Sequence, residues 1–160
     1  GNAVSIGSNR GASGIDGTIA SACGFAKGLN QATTLLVGDL AFLHDLNSLA
    51  MVRVLRKPIV IVLFNNNGGG IFSFLPIAQF KKYFEQYFGT PHNLEYSFVA
   101  KMFNLNYAKP NSKNAFLHEY RKAFKAKRST IIEIMSQRNS NYRLQQNLEK
   151  KIIAAIAQHL

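Results

Sequence analysis

The sequence predicts an α/β domain in which a doubly wound parallel sheet carries helices on both faces. Two apolar runs, Thr33–Val37 and Ile59–Phe64, have the length of buried strands, and each ends in a polar turn that contains glycine. Between them, Phe42–Leu55 places apolar residues at helical spacing, which predicts strand, helix, strand. A right-handed crossover of this kind returns both strand ends to one edge of the sheet, where such sheets bind ligands.

The rest of the chain continues the alternation of strands and helices. Gly1–Ile6 is a short apolar segment before the turn at Gly7, and Asp16–Leu29 has the small and apolar residues of a helix. Further helices are expected over 80–88, 93–103, 113–127 and 145–160, and further strands over Asn106–Ala108 and Thr130–Met135. With 160 residues and 47% hydrophobic content, residues 1–160 are expected to form a single domain.

The composition of the chain argues against nucleic-acid and membrane partners and bears on its location. The net charge of +11 comes from 19 basic and 8 acidic side chains, but no zinc spacing or aromatic RNA-binding motif accompanies it. We therefore expect no nucleic-acid partner. No apolar run approaches the roughly 20 residues of a membrane span, so no membrane partner is expected either. The single cysteine, Cys23, has no internal disulfide partner and favours a cytoplasmic location.

The two predicted strand ends carry side chains suited to a cation and a phosphate. Asp39 supplies an anionic oxygen and Asn66 an amide oxygen, 27 positions later. The glycines at 68–70 allow backbone carbonyls to point inward and leave backbone N–H groups free to face phosphate. Oxygen ligands of this kind suit Mg²⁺ or Mn²⁺. The alternative is that both segments are ordinary strand-end turns.

Three motifs carry a family resemblance: Ser8–Gly17 (SNRGASGIDG), Asp45–Leu49 (DLNSL) and Asn65–Pro76 (NNNGGGIFSFLP). Together with the Gly38-Asp39 pair they make the chain similar to the C-terminal domain of the 2-succinyl-5-enolpyruvyl-6-hydroxy-3-cyclohexene-1-carboxylate synthase family of menaquinone biosynthesis. The resemblance implies the thiamine diphosphate-binding fold of the diphosphate-binding domain. It also implies that the family's N-terminal pyrimidine-binding and central domains are absent from this chain.

The resemblance also implies the residues of the site. Those that match cofactor-binding positions are Ile15, Gly38, Asp39, Leu40, Asn66, Gly68, Gly69 and Ile71. Those that match the ligands of Mg²⁺ or Mn²⁺ are Asp39, Asn66 and the carbonyl of Gly68. Those that match substrate-binding positions are Arg10, Ile71, Phe72 and Leu75. Two features depart from the family: the stretch between Ile6 and Ser8 that carries a substrate-binding arginine has no counterpart, and Gly70 replaces a usual polar residue.

Several of these residues also have an interpretation that involves no ligand. The Arg10 guanidinium could clamp a carboxylate through two parallel hydrogen bonds, or could form a surface ion pair. By resemblance Ile15 is the apolar prop beneath the cofactor's thiazolium ring, but core packing is the alternative. The apolar residues of 71–75 could wall the site or pack in the core. Asp45 is expected to be structural, as a carboxylate at a helix start. The aromatic stripe of 80–88 is expected to pack in the core or at a subunit contact.

By resemblance, the complete enzyme decarboxylates 2-oxoglutarate and adds the succinyl carbanion to isochorismate, with thiamine diphosphate as cofactor. No catalytic residue is expected in this chain, because the family's activating glutamate lies in the pyrimidine-binding domain of a partner subunit. We therefore expect a homodimer or dimer of dimers when complete, and a chain that is inactive alone. The alternatives are a domain of another thiamine-dependent 2-oxo acid lyase or synthase, of the acetolactate synthase type, or a catalytically inactive basic binding module.

Overall fold

The computed structural model describes residues 4–9 and 14–158. The chain divides into two compact units, which are described separately. The first contains the described residues up to Asn65 together with Leu94–Met135. The second contains Asn66–Asn93 and the described residues from Ser136 onward. The expectation of a single domain remains a prediction.

A four-stranded parallel sheet forms the centre of the first unit. Its strands are β1 (Thr33–Gly38), β2 (Ile59–Asn65), β3 (Asn106–Ala108) and β4 (Thr130–Met135), in the order β1-β2-β4-β3. Each strand was predicted from its apolar run, to within one residue at either end. The predicted parallel sheet is confirmed.

Helices cover both faces of this sheet, as predicted. One face packs against α1 (Thr18–Leu29), α2 (Asp39–His44), α3 (Leu49–Arg53) and α5 (Tyr96–Met102). The other face packs against α6 (Lys113–Lys125), whose Phe116 and Tyr120 contact Val60, Val62 and Ile132. The two cores draw on alternate residues of β2, because successive side chains of a strand point to opposite faces.

The single helix predicted over Phe42–Leu55 is wrong. The structure has α2, then a 3₁₀ turn at Leu46–Ser48, then α3. The interruption falls at Asp45, whose backbone leaves the helical region (φ −127°, ψ 26°). Its buried carboxylate accepts hydrogen bonds from the Ala20 N–H and the Ser48 hydroxyl. These bonds lie outside the helical ladder, so periodicity alone could not reveal them.

The second unit contains short helical turns and one long helix. Its elements are 3₁₀ turns at Gly70–Phe74 and Pro76–Gln79, α4 (Lys81–Phe84), a π-helical turn at Glu85–Gly89, and α7 (Arg138–Ala157). α7 begins seven residues before the predicted start. The prediction missed these first two turns because residues 138–144 include two Asn and one Ser, which have only moderate helix propensity. Among the described residues, no helix is both long and apolar enough to cross a membrane.

Candidate functional site

The sheet edge predicted to bind a ligand is formed by the ends of β1 and β2. Gly38 pairs with Phe64 in the parallel register, so these strand ends lie side by side. Asp39 follows as the first residue of α2 and is only 2% exposed. Its carboxylate accepts a hydrogen bond from the N–H of Leu40, at 2.9 Å. The fold therefore buries a carboxylate at the edge that the sequence indicated.

Tyr96 supports Asp39 from the neighbouring helix α5. The Tyr96 hydroxyl donates to the backbone carbonyl of Asp39 at 3.5 Å, and its ring packs edge-on against Phe42. Burial raises the pKa of Tyr96 well above its usual value, and the negative charges of Asp39 and Glu133 raise it further. The hydroxyl therefore stays protonated and serves as a donor. Sequence inspection assigned Tyr96 only to a helix and missed this contact.

Gly38 has a conformation that any residue could adopt. Its φ of −79° and ψ of 161° are extended, and among the described residues no atom outside its own chain neighbourhood lies within 4 Å of the position a Cβ would take. Neither backbone geometry nor packing within the described chain requires glycine here. The space beside Gly38 is open, as a site that admits a ligand close to the backbone would need.

The second strand end is held by a buried polar network in the first unit. Asn65, the last residue of β2, donates from Nδ2 to Oε1 of Glu133, at 2.7 Å. Glu133 lies in β4 and is 1% exposed. Tyr107 donates to its Oε2, and Lys109 lies 3.4 Å from its Oε1. Sequence inspection assigned Glu133 only to a strand and did not place it at this edge. The signal that could have identified it is a lone charged residue within an apolar run, Thr130–Met135.

In the second unit, a clamp formed by Asn67 fixes the polar turn. The Asn67 Oδ1 accepts from the backbone N–H groups of His92, at 3.1 Å, and Asn93, at 2.8 Å, while Nδ2 donates to the Asn93 side chain at 2.9 Å. The Asn67 backbone is left-handed, with φ 59°, which asparagine tolerates better than most residues. The third asparagine of the motif therefore shapes the turn that carries Asn66 and Gly68.

Gly68 and Gly69 pack directly against the backbone of the segment that ends at Gly89. The Gly69 N–H donates to the Gly89 carbonyl at 2.8 Å. A Cβ at Gly68 would lie 2.0 Å from that same carbonyl oxygen, and one at Gly69 would lie 2.2 Å from the carbonyl oxygen of Phe88. Gly68 also has a φ of 128°, which side chains rarely adopt. Both glycines are therefore required by the turn itself.

The amide oxygen of Asn66 is a candidate metal ligand. Among the described residues, Oδ1 of Asn66 is buried and accepts no hydrogen bond. A buried acceptor without a partner costs free energy, so such atoms usually face a water or an ion. A Cβ at the adjacent Gly70 would lie 2.4 Å from Nδ2 of Asn66. Gly70 thus leaves room for the Asn66 side chain.

The apolar residues of the candidate site are not core residues in the described chain. Ile71 is 75% exposed, Phe72 36% and Leu75 49%, so the core-packing alternative is wrong for all three. Phe72 has one ring neighbour, Phe88, at 5.9 Å between centroids. Ile15, at 43% exposure, is also outside the core and precedes α1. Ile71, Phe72 and Leu75 therefore expose apolar area in the second unit, and Ile15 exposes apolar area in the first.

The remaining predicted residues divide between the two units. Leu40 is half-buried in the first unit, beside Asp39. Asn66, Gly68 and Gly69 lie in the second unit, whereas Asp39 and Gly38 lie in the first. Arg10, predicted to bind a substrate carboxylate, lies outside the described residues. No group of three or more His, Cys, Asp or Glu side chains within the described residues could hold a metal.

The first unit is a parallel α/β sheet with a buried aspartate where a strand ends, and sheets of this class bind ligands beyond the carboxyl ends of their strands. The chain belongs to the family of C-terminal thiamine pyrophosphate-binding domains of thiamine pyrophosphate enzymes, whose model matches residues 6–134. Thiamine pyrophosphate and thiamine diphosphate are the same compound. The predicted fold and cofactor class are therefore confirmed.

Curated relatives within this family show which enzymes the chain is similar to in sequence. The 2-succinyl-5-enolpyruvyl-6-hydroxy-3-cyclohexene-1-carboxylate synthase of Chlorobium phaeovibrioides is 48% identical over 94% of this chain. The synthase of the same name from Chlorobium chlorochromatii is 49% identical over 93% of it. The chain spans 26% of the length of each of these curated relatives. Both names agree with the family resemblance drawn from the motifs.

Solved structures support the fold. Benzoylformate decarboxylase from Polynucleobacter necessarius superposes with a TM-score of 0.59 at 20% sequence identity, over 75% of this chain and 23% of that one. At this identity the likeness establishes the architecture alone.

Proposed function

We propose that this chain is the diphosphate- and metal-binding part of a 2-succinyl-5-enolpyruvyl-6-hydroxy-3-cyclohexene-1-carboxylate synthase in menaquinone biosynthesis. The complete enzyme would decarboxylate 2-oxoglutarate and join the remaining four-carbon unit to isochorismate. The observation that carries the proposal is the 48% identity, over 94% of the chain, to a synthase of that name. The SNRGASGIDG motif, Ser8–Gly17, is the local feature that agrees with it.

The metal would be Mg²⁺ or Mn²⁺, held by the Asp39 carboxylate, the Asn66 Oδ1 and the Gly68 carbonyl. Two observations support this set. Asp39 is a buried carboxylate at the end of a parallel strand, and the Asn66 Oδ1 is a buried acceptor without a partner among the described residues. All three donors are oxygens, which hard divalent cations prefer, and such cations also bind substrate phosphates.

The cofactor would lie beside Gly38, Leu40 and Gly69, with Ile15 and Ile71 as apolar contacts. The open space at Gly38 supports this placement, because a Cβ there would meet no other part of the described chain. When bound, thiamine diphosphate supplies the carbanion chemistry, and the protein supplies binding and orientation. Ile71, Phe72 and Leu75 are exposed in the described chain and would exclude water from the reacting carbon.

Arg10 would bind a carboxylate of the substrate. A guanidinium offers two parallel donors to a carboxylate, which fixes orientation as well as charge. Both proposed substrates carry carboxylates, so a cation is needed at this position.

The activating carboxylate would come from the pyrimidine-binding domain of a partner subunit in a homodimer or dimer of dimers. The buried acidic residues of the described chain are Asp39, Asp45 and Glu133. Asp39 is proposed for the metal, and Asp45 and Glu133 accept hydrogen bonds from their neighbours. This chain would therefore be inactive alone. A cytoplasmic location is proposed because Cys23 is a free, buried thiol, as is usual in reducing compartments.

The proposal is tested by titrating thiamine diphosphate into the protein by calorimetry, with and without Mg²⁺. Binding should require Mg²⁺ and be lost in Asp39→Ala and Asn66→Ala. The matched controls are Asp16→Ala and Asn141→Ala, which remove an exposed residue of each type and should bind like the wild type. In the apoprotein, Asn66→Ala should not reduce thermal stability, because it removes an acceptor that has no partner.

Two results would contradict the proposal. Equal, salt-sensitive binding of thiamine diphosphate and plain pyrophosphate by all five proteins would indicate attraction to the net charge of +11 alone. Metal-dependent binding, combined with failure of the complete enzyme to consume isochorismate, would retain the cofactor site and reject the synthase assignment in favour of another thiamine-dependent 2-oxo acid enzyme.

A further inference from the structure

Glu133 is a charged residue in the interior of a sheet. It lies in β4 opposite Leu63 of the central strand β2, and its neighbours along the strand, Ile131 and Ile132, are fully buried. Glutamate is almost never fully buried unless it is paired. Removing a carboxylate from water is costly unless hydrogen bonds satisfy its oxygens. Glu133 is only 1% exposed, so its interactions must offset the free-energy cost of desolvating its carboxyl group.

Both oxygens of the Glu133 carboxylate are engaged. Oε1 accepts from the Asn65 Nδ2 at 2.7 Å and lies 3.4 Å from the Lys109 ammonium, whose side chain is half-exposed. Oε2 accepts from the Tyr107 hydroxyl. Burial, followed by the hydrogen bond to Glu133, raises the pKa of the Tyr107 hydroxyl above its usual value. Tyr107 therefore remains a donor to Glu133.

The network joins three strands at the edge where the site is proposed. Asn65 is the last residue of β2, Tyr107 is in β3 and Glu133 is in β4. Asn65 is followed directly by Asn66, whose amide oxygen is proposed to bind the metal. A hydrogen bond that fixes the Asn65 side chain also restrains the backbone of Asn65, to which Asn66 is directly bonded. Tyr107 and Lys109, in contrast, touch Glu133 without being neighbours of Asn66 in the chain.

We propose that Glu133 is a positioning residue for cofactor binding, which acts by holding Asn65 so that the adjacent Asn66 is presented in one orientation. The proposal rests on the metal site proposed above. Partners of this kind, which orient metal ligands without touching the metal, typically change affinity by about 10- to 100-fold when they are removed.

The test compares thiamine diphosphate affinity, at saturating Mg²⁺, among variants of the network. Glu133→Leu removes the acceptor of Asn65 and should weaken binding about 10-fold or more. Glu133→Gln keeps an oxygen that can accept from Asn65 and should restore most of the affinity. Tyr107→Phe removes a different bond to the same carboxylate, so it should lower stability and leave affinity unchanged. Asn65→Ala should weaken binding as Glu133→Leu does, and the double variant should lose no more than either single variant.

A second measurement needs no cofactor. Amide hydrogen exchange in the apoprotein should be faster at Asn66–Gly69 in Glu133→Leu and Asn65→Ala, and unchanged there in Tyr107→Phe and Glu133→Gln. If Glu133→Leu does not fold, Asn65→Ala breaks the same bond from the other side. A wild type that does not bind thiamine diphosphate would reject the proposed function, and the exchange data would still decide the role of Glu133.

Three results would overturn the inference. The first is equal loss of affinity in Glu133→Leu and Tyr107→Phe, which would show general destabilisation. The second is loss in Glu133→Gln as large as in Glu133→Leu, which would show that charge acts directly. The third is full additivity of Glu133→Leu and Asn65→Ala, which would show that Glu133 does not act through Asn65.

Discussion

The carboxylate of Asp45 accepts a hydrogen bond from the backbone N–H of Ala20, which lies 25 residues earlier in the chain, at 2.9 Å. Ala20 is in the first turn of α1, a helix whose N-cap residue, Gly17, makes no side-chain capping bond and whose first turn has no acidic residue. Asp45 therefore supplies from a distance the negative charge and the acceptor that most helices find locally. Its burial and its bond from Ser48 explain why the segment after β1 is broken into two helices.

Replacing Asp45 with alanine should destabilise the first unit by about 1–3 kcal/mol, because the part-buried Ala20 N–H loses its acceptor. The free energy of unfolding in urea measures this. Asp16→Ala removes an exposed carboxylate just before the same helix and should change stability by less than about 0.5 kcal/mol. Equal effects of the two substitutions would show that Asp45 does not cap α1.

Cys23 should be unreactive in the folded protein. The thiol is 5% exposed, and burial, followed by the charge of Asp45, raises its pKa from 9.0 to about 11. Alkylation by iodoacetamide at pH 8 should be far slower than in the urea-unfolded chain, because the thiolate is the nucleophile. A folded-state rate equal to the unfolded rate would contradict the burial of Cys23.

The same pKa shift predicts how stability depends on pH. The folded state holds the thiol proton more tightly than the unfolded state, so this contribution is complete below pH 9 and is lost as pH rises towards about 11. Urea unfolding between pH 8 and pH 11 measures it, and Cys23→Ala is the control that should lack this component.

Gly38→Ala should separate cofactor binding from folding. The extended backbone of Gly38 accepts a side chain, and within the described chain a Cβ there meets no neighbour. Stability should therefore be unchanged or rise by about 0.4–1 kcal/mol, since alanine restricts the unfolded chain. Thiamine diphosphate affinity should fall, because the methyl group occupies the space proposed for the cofactor. Unchanged affinity in calorimetry would place the cofactor elsewhere.

Gly68→Ala should have the opposite outcome for stability. Its φ of 128° and a contact of 2.0 Å between the new Cβ and the Gly89 carbonyl oxygen force the turn to move. We expect a loss of about 2 kcal/mol or more in thermal unfolding, because both backbone strain and overlap oppose the substitution. The matched control is Gly24→Ala in α1, where a Cβ meets no described neighbour, and which should stabilise the helix by about 0.5–1 kcal/mol.

No local pattern of residues indicated the interactions that hold the turns. Asn65–Asn67 appeared as a run of turn formers, and only the structure distinguishes their roles. Asn65 bonds to a glutamate 68 positions later, Asn67 clamps a segment about 25 positions later, and the Asn66 oxygen has no described partner. Side-chain hydrogen bonds between distant residues leave no periodic signal, because their partners are set by the packing of whole elements.

By itself the sequence determined the parallel α/β fold, the strands to within a residue, the cofactor class and the family. Apolar runs, glycines and motif spacing are local features, and the physics of burial acts on them directly. The tertiary structure alone decided that Glu133 is buried at the sheet edge, that Asp45 interrupts a helix to cap another, and that Ile71 and Leu75 stay out of the core. These outcomes depend on which surfaces meet when strands and helices pack, and a one-dimensional pattern does not contain that information.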